Sequence, residues 1–270
     1  MRATIWGCRG SLATPGRETV GYGGNTTSVE LRTADDGLVV LDAGTGIRRL
    51  GLSLAGDHPR EIDLLLTHMH LEHVEGLGFF SPLFDPECTI TIWGPRPDGV
   101  PLADHLKAYL SPPLFPLPFE QFPAMIRFEE IWHDTWEIAG LRVTSGPVQH
   151  PGATVGYRIS ENGSTFAFIP DDEPGIDPAP ALALADGVDL LVHDAQYTAA
   201  EYATRVGWGH TSLPDFVEFV RAASPKRTVM FHHDPSHDDR ALEAMELEAR
   251  DLAGHESIEL ARENAELAVG

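Results

Sequence analysis

Thr67-His68-Met69-His70-Leu71-Glu72-His73 puts three histidines and a carboxylate directly behind the apolar run Ile62 to Leu66. A short, continuous apolar run with a charged flank predicts a strand buried on both faces. At the end of such a strand, residues two apart share a side, so His68 and His70 project together. The turn that follows can fold Glu72 and His73 back toward them. Neutral imidazoles and a carboxylate are the donors zinc takes when one coordination position stays open for water. The blander alternative is a polar loop of solvated histidines. It fits poorly with a buried strand leading straight into the cluster and with Gly76 and Gly78 just beyond.

Other histidines and acids also stand at the ends of apolar runs. His150 closes Leu141 to Gln149, Asp171 and Asp172 close Thr165 to Pro170, and His232 and His233 close Thr228 to Phe231. Each alone reads as a turn residue; beside a metal motif, ligation becomes the better reading. The register at two of these ends stays open, Asp171 against Asp172 and His232 against His233. His210 lies in the glycine-rich Gly207-Trp208-Gly209-His210-Thr211-Ser212, ahead of an expected helix. Asp194 follows the apolar run Leu190 to Val192 and could orient His210 and raise its pKa, with His193 pointing the other way.

The rest of the chain reads as short strands alternating with helices. Thr4 to Trp6, Thr26 to Thr33, Gly37 to Asp42, Thr89 to Trp93, Leu141 to Pro147, Val155 to Ser160 and Thr165 to Pro170 read as strands. So do Leu190 to His193, Thr228 to Phe231 and, as a strand or short helix, Ser257 to Leu260. Ile47 to Ala55, Leu213 to Ala223 (capped by Ser212) and Ala241 to Leu252 read as helices. Strands followed by helices, twice over, imply an α/β fold with two sheets face to face and helices outside. No low-complexity linker interrupts the chain, so one domain spanning 1–270 is expected. Its proline-rich stretch near 101–123 would be a surface excursion. Asp42 is expected to bond amides of the Gly44 to Gly46 turn, and Asn25 to serve its own glycine loop. Phe79, Phe80, Phe84, Phe115 and Phe119 suit core packing or a covering flap better than a nucleobase mouth. His58, His105, His133, His237 and His255 are expected at the surface.

Composition limits the partners. The 270 residues carry a formal charge of −22, with Lys107 and Lys226 the only lysines. That field disfavours coating a long nucleic acid or an anionic membrane. Two cysteines, Cys8 and Cys88, cannot build a disulfide framework or a thiolate zinc site. The start carries no signal-like run and no stretch is long enough for a membrane span, so a cytoplasmic protein is expected.

The ordered set His68, His70, Glu72, His73, His150, Asp171 and His232 resembles the two-metal site of the metallo-β-lactamase superfamily, over nearly the whole chain. Gly7-Cys8-Arg9-Gly10-Ser11, Gly23-Gly24-Asn25-Thr26, Leu41-Asp42-Ala43-Gly44-Thr45-Gly46 and His232-His233-Asp234-Pro235 resemble its phosphodiesterase branch. That branch includes tRNA 3′-processing endonucleases and the carbon-phosphorus lyase accessory phosphodiesterase. The resemblance implies a four-layer αβ/βα sandwich with two divalent metals, zinc ahead of manganese or iron. By similarity His68, His70 and His150 would hold the first metal and Glu72, His73 and His232 the second, with Asp171 bridging. His210 resembles the leaving-group histidine of the tRNA-processing enzymes, which makes His210, Asp194 and Glu72 the candidate catalytic residues.

One position departs from that pattern. Glu72 stands where aspartate is usual, and its extra methylene pushes the carboxylate out by roughly one bond length, about the tolerance of a metal ligand. The second metal is therefore in question. The expected activity is hydrolysis of a small or cyclic nucleotide phosphodiester by a metal-bound hydroxide near Asp171. The alternatives are a non-catalytic or single-metal binding protein and a tRNA 3′-processing endonuclease, with a β-lactamase or thioester hydrolase further off. A homodimer is compatible with any of them.

Overall fold

The computed structural model describes residues 1–54, 56, 58–254 and 257–270. The apolar run before the histidines is a strand, β4 (Glu61–Leu65), and its neighbours are parallel. Parallel strands are covered on both faces, so Ile62, Leu64 and Leu65 are all buried. The sheet that contains β4 also holds β1 (Arg2–Gly7), β2 (Ser28–Arg32), β3 (Leu38–Leu41), β5 (Thr89–Gly94), β6 (Met125–Glu130) and β14 (Glu266–Ala268). Its spatial order is β14-β1-β2-β3-β4-β5-β6.

The second sheet runs β13-β12-β11-β10-β9-β8-β7. In chain order its strands are β7 (Thr135–Ile138), β8 (Leu141–Pro147), β9 (Val155–Glu161), β10 (Ser164–Ile169), β11 (Leu190–Asp194), β12 (Arg227–Phe231) and β13 (Ile258–Leu260). Both sheets are mixed. In the first, β14 to β3 pair antiparallel and β3 to β6 parallel. In the second, β7 to β10 pair antiparallel and β10 to β13 parallel.

Side-chain alternation builds the layers. In β3, Val39 and Leu41 face the second sheet while Leu38 and Val40 face outward. In β10, Phe166 and Phe168 face inward while Ala167 and Ile169 face outward. The inner faces share one core that joins Ile5, Leu31 and Leu65 to Tyr157, Phe168 and Phe231. Outside the first sheet lie α1 (Ile47–Ser53) and α2 (Leu102–Tyr109), which contribute Ile47, Leu50, Leu102 and Leu106. Outside the second lie α3 (Ala179–Ala185), α5 (Leu213–Ala223) and α6 (Asp239–Ala253), with the short α4 (Ala199–Tyr202) between β11 and α5. The result is the expected αβ/βα sandwich. Ser212 caps α5 through its hydroxyl, accepting from Asp215 N, as its sequence implied.

Several expectations change. The strands β6, β7 and β14 and the helices α2, α3 and α4 were not foreseen. The proline-rich excursion is only partly superficial: Leu114 is exposed, but Phe119 and Phe122 are buried in the outer core of the first sheet. Turns and prolines hide the apolar periodicity there. Phe80 is also core, whereas Phe79 and Phe84 are exposed. His237 is buried and bonded to Glu201, because its carbonyl is drawn in by Arg9. His58 and His105 are half-buried and His133 exposed; His255, and Ala55 at the expected end of α1, lie outside the described residues.

Phe168 is fully buried between the sheets and meets Phe231 edge to face at 5.7 Å. Phe168→Ala should lower unfolding stability by about 3–5 kcal/mol, as large aromatic truncations in cores do. Chemical denaturation would read this, and a loss below about 1 kcal/mol would place that core elsewhere.

Candidate metal centre

Beyond β4 the chain runs through Leu66 and Thr67 to His68. Two contacts from β9 hold this stretch: Tyr157 Oη donates to Leu66 O at 2.5 Å and Val155 N to Thr67 O at 3.0 Å. Both sheets thus meet directly beneath the histidines. A single tight turn, Leu71–His73, then returns the chain, with His73 N donating to His70 O. Its carbonyl side packs backbone to backbone against the loop after β3. A Cβ on Gly76 would lie 2.0 Å from Gly44 O, so only glycine fits there.

The structure brings together all seven residues expected as ligands. One group is His68, His70 and His150; the other is Glu72, His73, Asp171 and His232, and in each the donor atoms lie within 4.8 Å of one another. Asp171 also groups with His150 and His210, so it reaches toward both sets. His73 Nε2 and His232 Nε2 each lie 3.2 Å from a different oxygen of Asp171. The extra methylene of Glu72 is accommodated, since its carboxylate stands among the second group.

Buried polar atoms are normally hydrogen-bonded. Here His68 Nε2, His73 Nε2, His232 Nε2 and both carboxylate oxygens of Asp171 are buried with no hydrogen-bond partner. These orphaned atoms belong to the same donor set. Imidazole nitrogens and carboxylate oxygens in this number are what divalent zinc, manganese or iron binds, so the residues fit such ions.

The opposite ring nitrogens are occupied, and this fixes each ring. His73 Nδ1 donates to Asp42 Oδ2 at 2.8 Å. Asp42, at the end of β3, also accepts from Thr67 N at 2.8 Å and from Thr67 Oγ1. This corrects the expectation for Asp42: it serves the ligand strand, and not the Gly44 to Gly46 turn. His232 Nδ1 donates to Gln196 Oε1 at 2.8 Å, and Gln196 Nε2 donates to Asp234 at 3.1 Å. His150 Nδ1 donates to Gly209 O at 2.8 Å. Asn25 likewise serves a distant partner, Glu263.

Neighbours in sequence point apart. Asp172 accepts from Gln149 N at 2.9 Å and faces His193 Nε2 at 3.4 Å, away from the donor set. His193 stacks on Phe219 with ring centroids 4.2 Å apart. His233 Nε2 donates to Ala261 O, and burial pushes its imidazole down to about 3. Asp171 and His232 are therefore the members of each pair that face the centre.

His210 stands beside the second group, stacked on His232 with centroids 4.9 Å apart. Its Nδ1 donates to Asp194 Oδ2 at 2.8 Å and lies 3.8 Å from Asp171. Burial raises the Asp194 carboxyl to about 6 against the pull of His210. Burial would lower His210, but Asp194 and Asp171 together hold it above its ordinary range. Burial would likewise raise Asp171, yet His232, His73 and His68 keep it well below the usual carboxylate range. Two contributors escaped sequence reasoning. Gln196 and Gly209 act through a side-chain amide and a carbonyl that carry no motif signal.

The two-sheet sandwich with a histidine–carboxylate cluster where the sheets meet is the metallo-β-lactamase fold, with a donor set that can hold metal ions. Residues 38–233 match the Beta-lactamase superfamily domain, and the chain belongs to the metallo-β-lactamase superfamily. It is 25% identical to Ribonuclease BN of Salmonella paratyphi C (strain RKS4594), over 79% of this chain and 84% of that protein. Among solved structures it is similar to a diphosphatase from the PhnP family, with TM-score 0.73, 19% identity and coverage of 99% of this chain and 97% of that one. It is also similar to zinc-bound PqqB from Methylobacterium extorquens, with TM-score 0.74, 19% identity and coverage of 99% and 100%.

Asp42→Asn keeps the shape of the buried carboxylate but weakens its hold on His73. Zinc affinity should fall about 10–100-fold while the fold survives, measured by competition with a chromophoric chelator. Unchanged affinity would show that Asp42 does not steer that ring.

Proposed function

We propose that the protein is a phosphodiesterase acting on a small or cyclic nucleotide with two divalent metals, zinc first among them. The observation that carries this reading is the convergence of unpartnered donor atoms around buried Asp171, with the His210–Asp194 pair alongside. His68, His70 and His150 would hold one ion, Glu72, His73 and His232 the other, and Asp171 both. When bound, such ions attract a phosphodiester, lower the pKa of a shared water and offset charge at phosphorus.

The side chains supply the rest. Asp171, held well below the usual carboxylate range, stays ionised and is the carboxylate both ions would share. His210 has Nδ1 committed to Asp194, so Nε2 is the atom that carries a proton to the leaving oxygen. Asp194 keeps that imidazole charged until the transfer, despite its burial.

Charge and surface favour a small substrate. Lys226 is paired with Asp189, which leaves a single other lysine, Lys107, on α2. The loops bearing the site residues expose Leu71 and Trp208, while their Arg205 is half-buried over the Tyr197 ring, and such exposed apolar side chains suit a nucleobase face. The names of the ribonuclease and diphosphatase relatives agree with phosphoester chemistry. Two unpaired, buried thiols, Cys8 and Cys88, support a cytoplasmic setting. A second reading, tRNA 3′ processing, draws on the ribonuclease relatives and on the likeness of the fold to human tRNase Z.

Zinc-loaded protein should hydrolyse bis(p-nitrophenyl) phosphate and cyclic nucleotides, and His70→Ala and Asp171→Ala should abolish this. Faster cleavage of precursor tRNA than of any small diester would favour the second reading. Metal analysis should find two ions per chain. One ion, with no activity gained in Glu72→Asp, would favour a binding protein.

His210→Ala should cost about 10²–10⁴-fold in kcat on a diester with a ribose leaving oxygen. It should cost far less with p-nitrophenolate, which leaves unprotonated. Equal losses on both would remove His210 from the proton-transfer role.

A further inference from the structure

Glu173 follows the Asp171-Asp172 pair and is buried, 1% exposed, although no step above uses it. Its two carboxylate oxygens receive three donors: Oε1 accepts from Tyr202 Oη at 2.8 Å and Gly207 N at 2.7 Å, and Oε2 from Gly209 N at 2.7 Å. Its own N–H donates to Gln149 O at 2.8 Å, next to His150. One residue thus ties together the loop after β8, the end of β10 and the segment that carries His210.

Ahead of His210 that segment is otherwise anchored by Arg205 over the Tyr197 ring, and beyond it by Thr211, whose N donates to Asp194 and whose hydroxyl donates to Asp172 O. Ala203, Thr204, Val206, Gly207 and Trp208 are exposed and bury no core side chain. Yet its Gly209 carbonyl is the acceptor that fixes His150 Nδ1, at 2.8 Å. Gly209 has φ +89°, and a Cβ there would lie 2.1 Å from His150 Nδ1, so the approach is as close as a backbone allows.

We propose that Glu173 is a positioning residue: by clamping Gly207 and Gly209 it sets the ring orientation and tautomer of His150 and the placement of His210. The metal-binding half of this inference rests on the function proposed above; the coupling of Glu173 to His150 does not. Three donors on two oxygens require a carboxylate. An amide of equal size keeps one acceptor and turns an NH₂ toward a backbone N–H, so one clamp must open.

The test is Glu173→Gln beside Tyr202→Phe, which leaves both glycine amides served. In the parent, ring ¹⁵N shifts should report His150 as the Nδ1–H tautomer with or without metal. In Glu173→Gln that signal should become a tautomer mixture, zinc affinity should fall about 10–100-fold, and Tyr202→Phe should stay near the parent. The His210-dependent ratio of ribose to p-nitrophenyl cleavage should fall in Glu173→Gln. A Glu173→Gln protein with the parent's His150 shifts and zinc affinity overturns the proposal. If that variant does not fold, amide exchange in the parent decides. Slow exchange at Gly207 and Gly209 supports the clamp, and exchange at the rate of a free loop overturns it. A parent without phosphodiesterase activity would sink the functional reading and leave the ring-shift test of Glu173 standing.

Discussion

A carboxylate without exposed surface, Asp171, sets the terms for everything around it. A buried charge is tolerated only when opposite charge or a full set of donors faces it. Among the described residues no backbone amide reaches either oxygen; imidazoles arrive from both sheets instead. Those imidazoles come from the end of β4, its following turn and the end of β12. The sheets must therefore be packed in one relative position for the charge to be compensated, and the inner core of interlocked phenylalanines and leucines holds that position.

Each imidazole is in turn constrained from behind. His73 rests on Asp42, His232 on Gln196, His150 on Gly209 and His210 on Asp194. The partners differ in chemistry, and the difference has consequences. Carboxylates behind His73 and His210 favour the charged ring, whereas a neutral amide and a carbonyl behind His232 and His150 leave burial dominant. Burial depresses His232 well below its ordinary range and His150 to about 4. One pocket thereby contains two rings that burial keeps neutral, His232 and His150, and two that neighbouring carboxylates hold above their ordinary range, His73 and His210.

The charge of −22 divides along the same lines. Asp42, Glu72, Asp171 and Asp194 are buried at the centre, where the proposed cations would reverse the local sign. A further share lies at the end of the chain, where ten acids and three arginines fall between Asp238 and Gly270. On α6 these include Glu243, Glu248 and Asp251, which face solvent.

How much of this was legible depends on the range of the interaction. The histidine cluster, the buried strand before it and the capped helix after Ser212 follow from spacing within a few residues, and they could be read directly. Asp171 and His232 were readable only as members of adjacent pairs, because alternation states that neighbours point apart but not which one faces inward. The short edge strands β6, β7 and β14 carry too few apolar residues to register, and Phe119 and Phe122 are buried from within turns. Sequence alone determined the donor types and the strands that present them, since those are matters of composition and period. The tertiary structure alone decided which donors meet, that Glu72 reaches the centre despite its length, and that Gln196, Gly209 and Glu173 hold the rings. Those contacts join residues 36, 59 and 34 to 36 positions apart, and only the packing of two sheets brings them within hydrogen-bond distance.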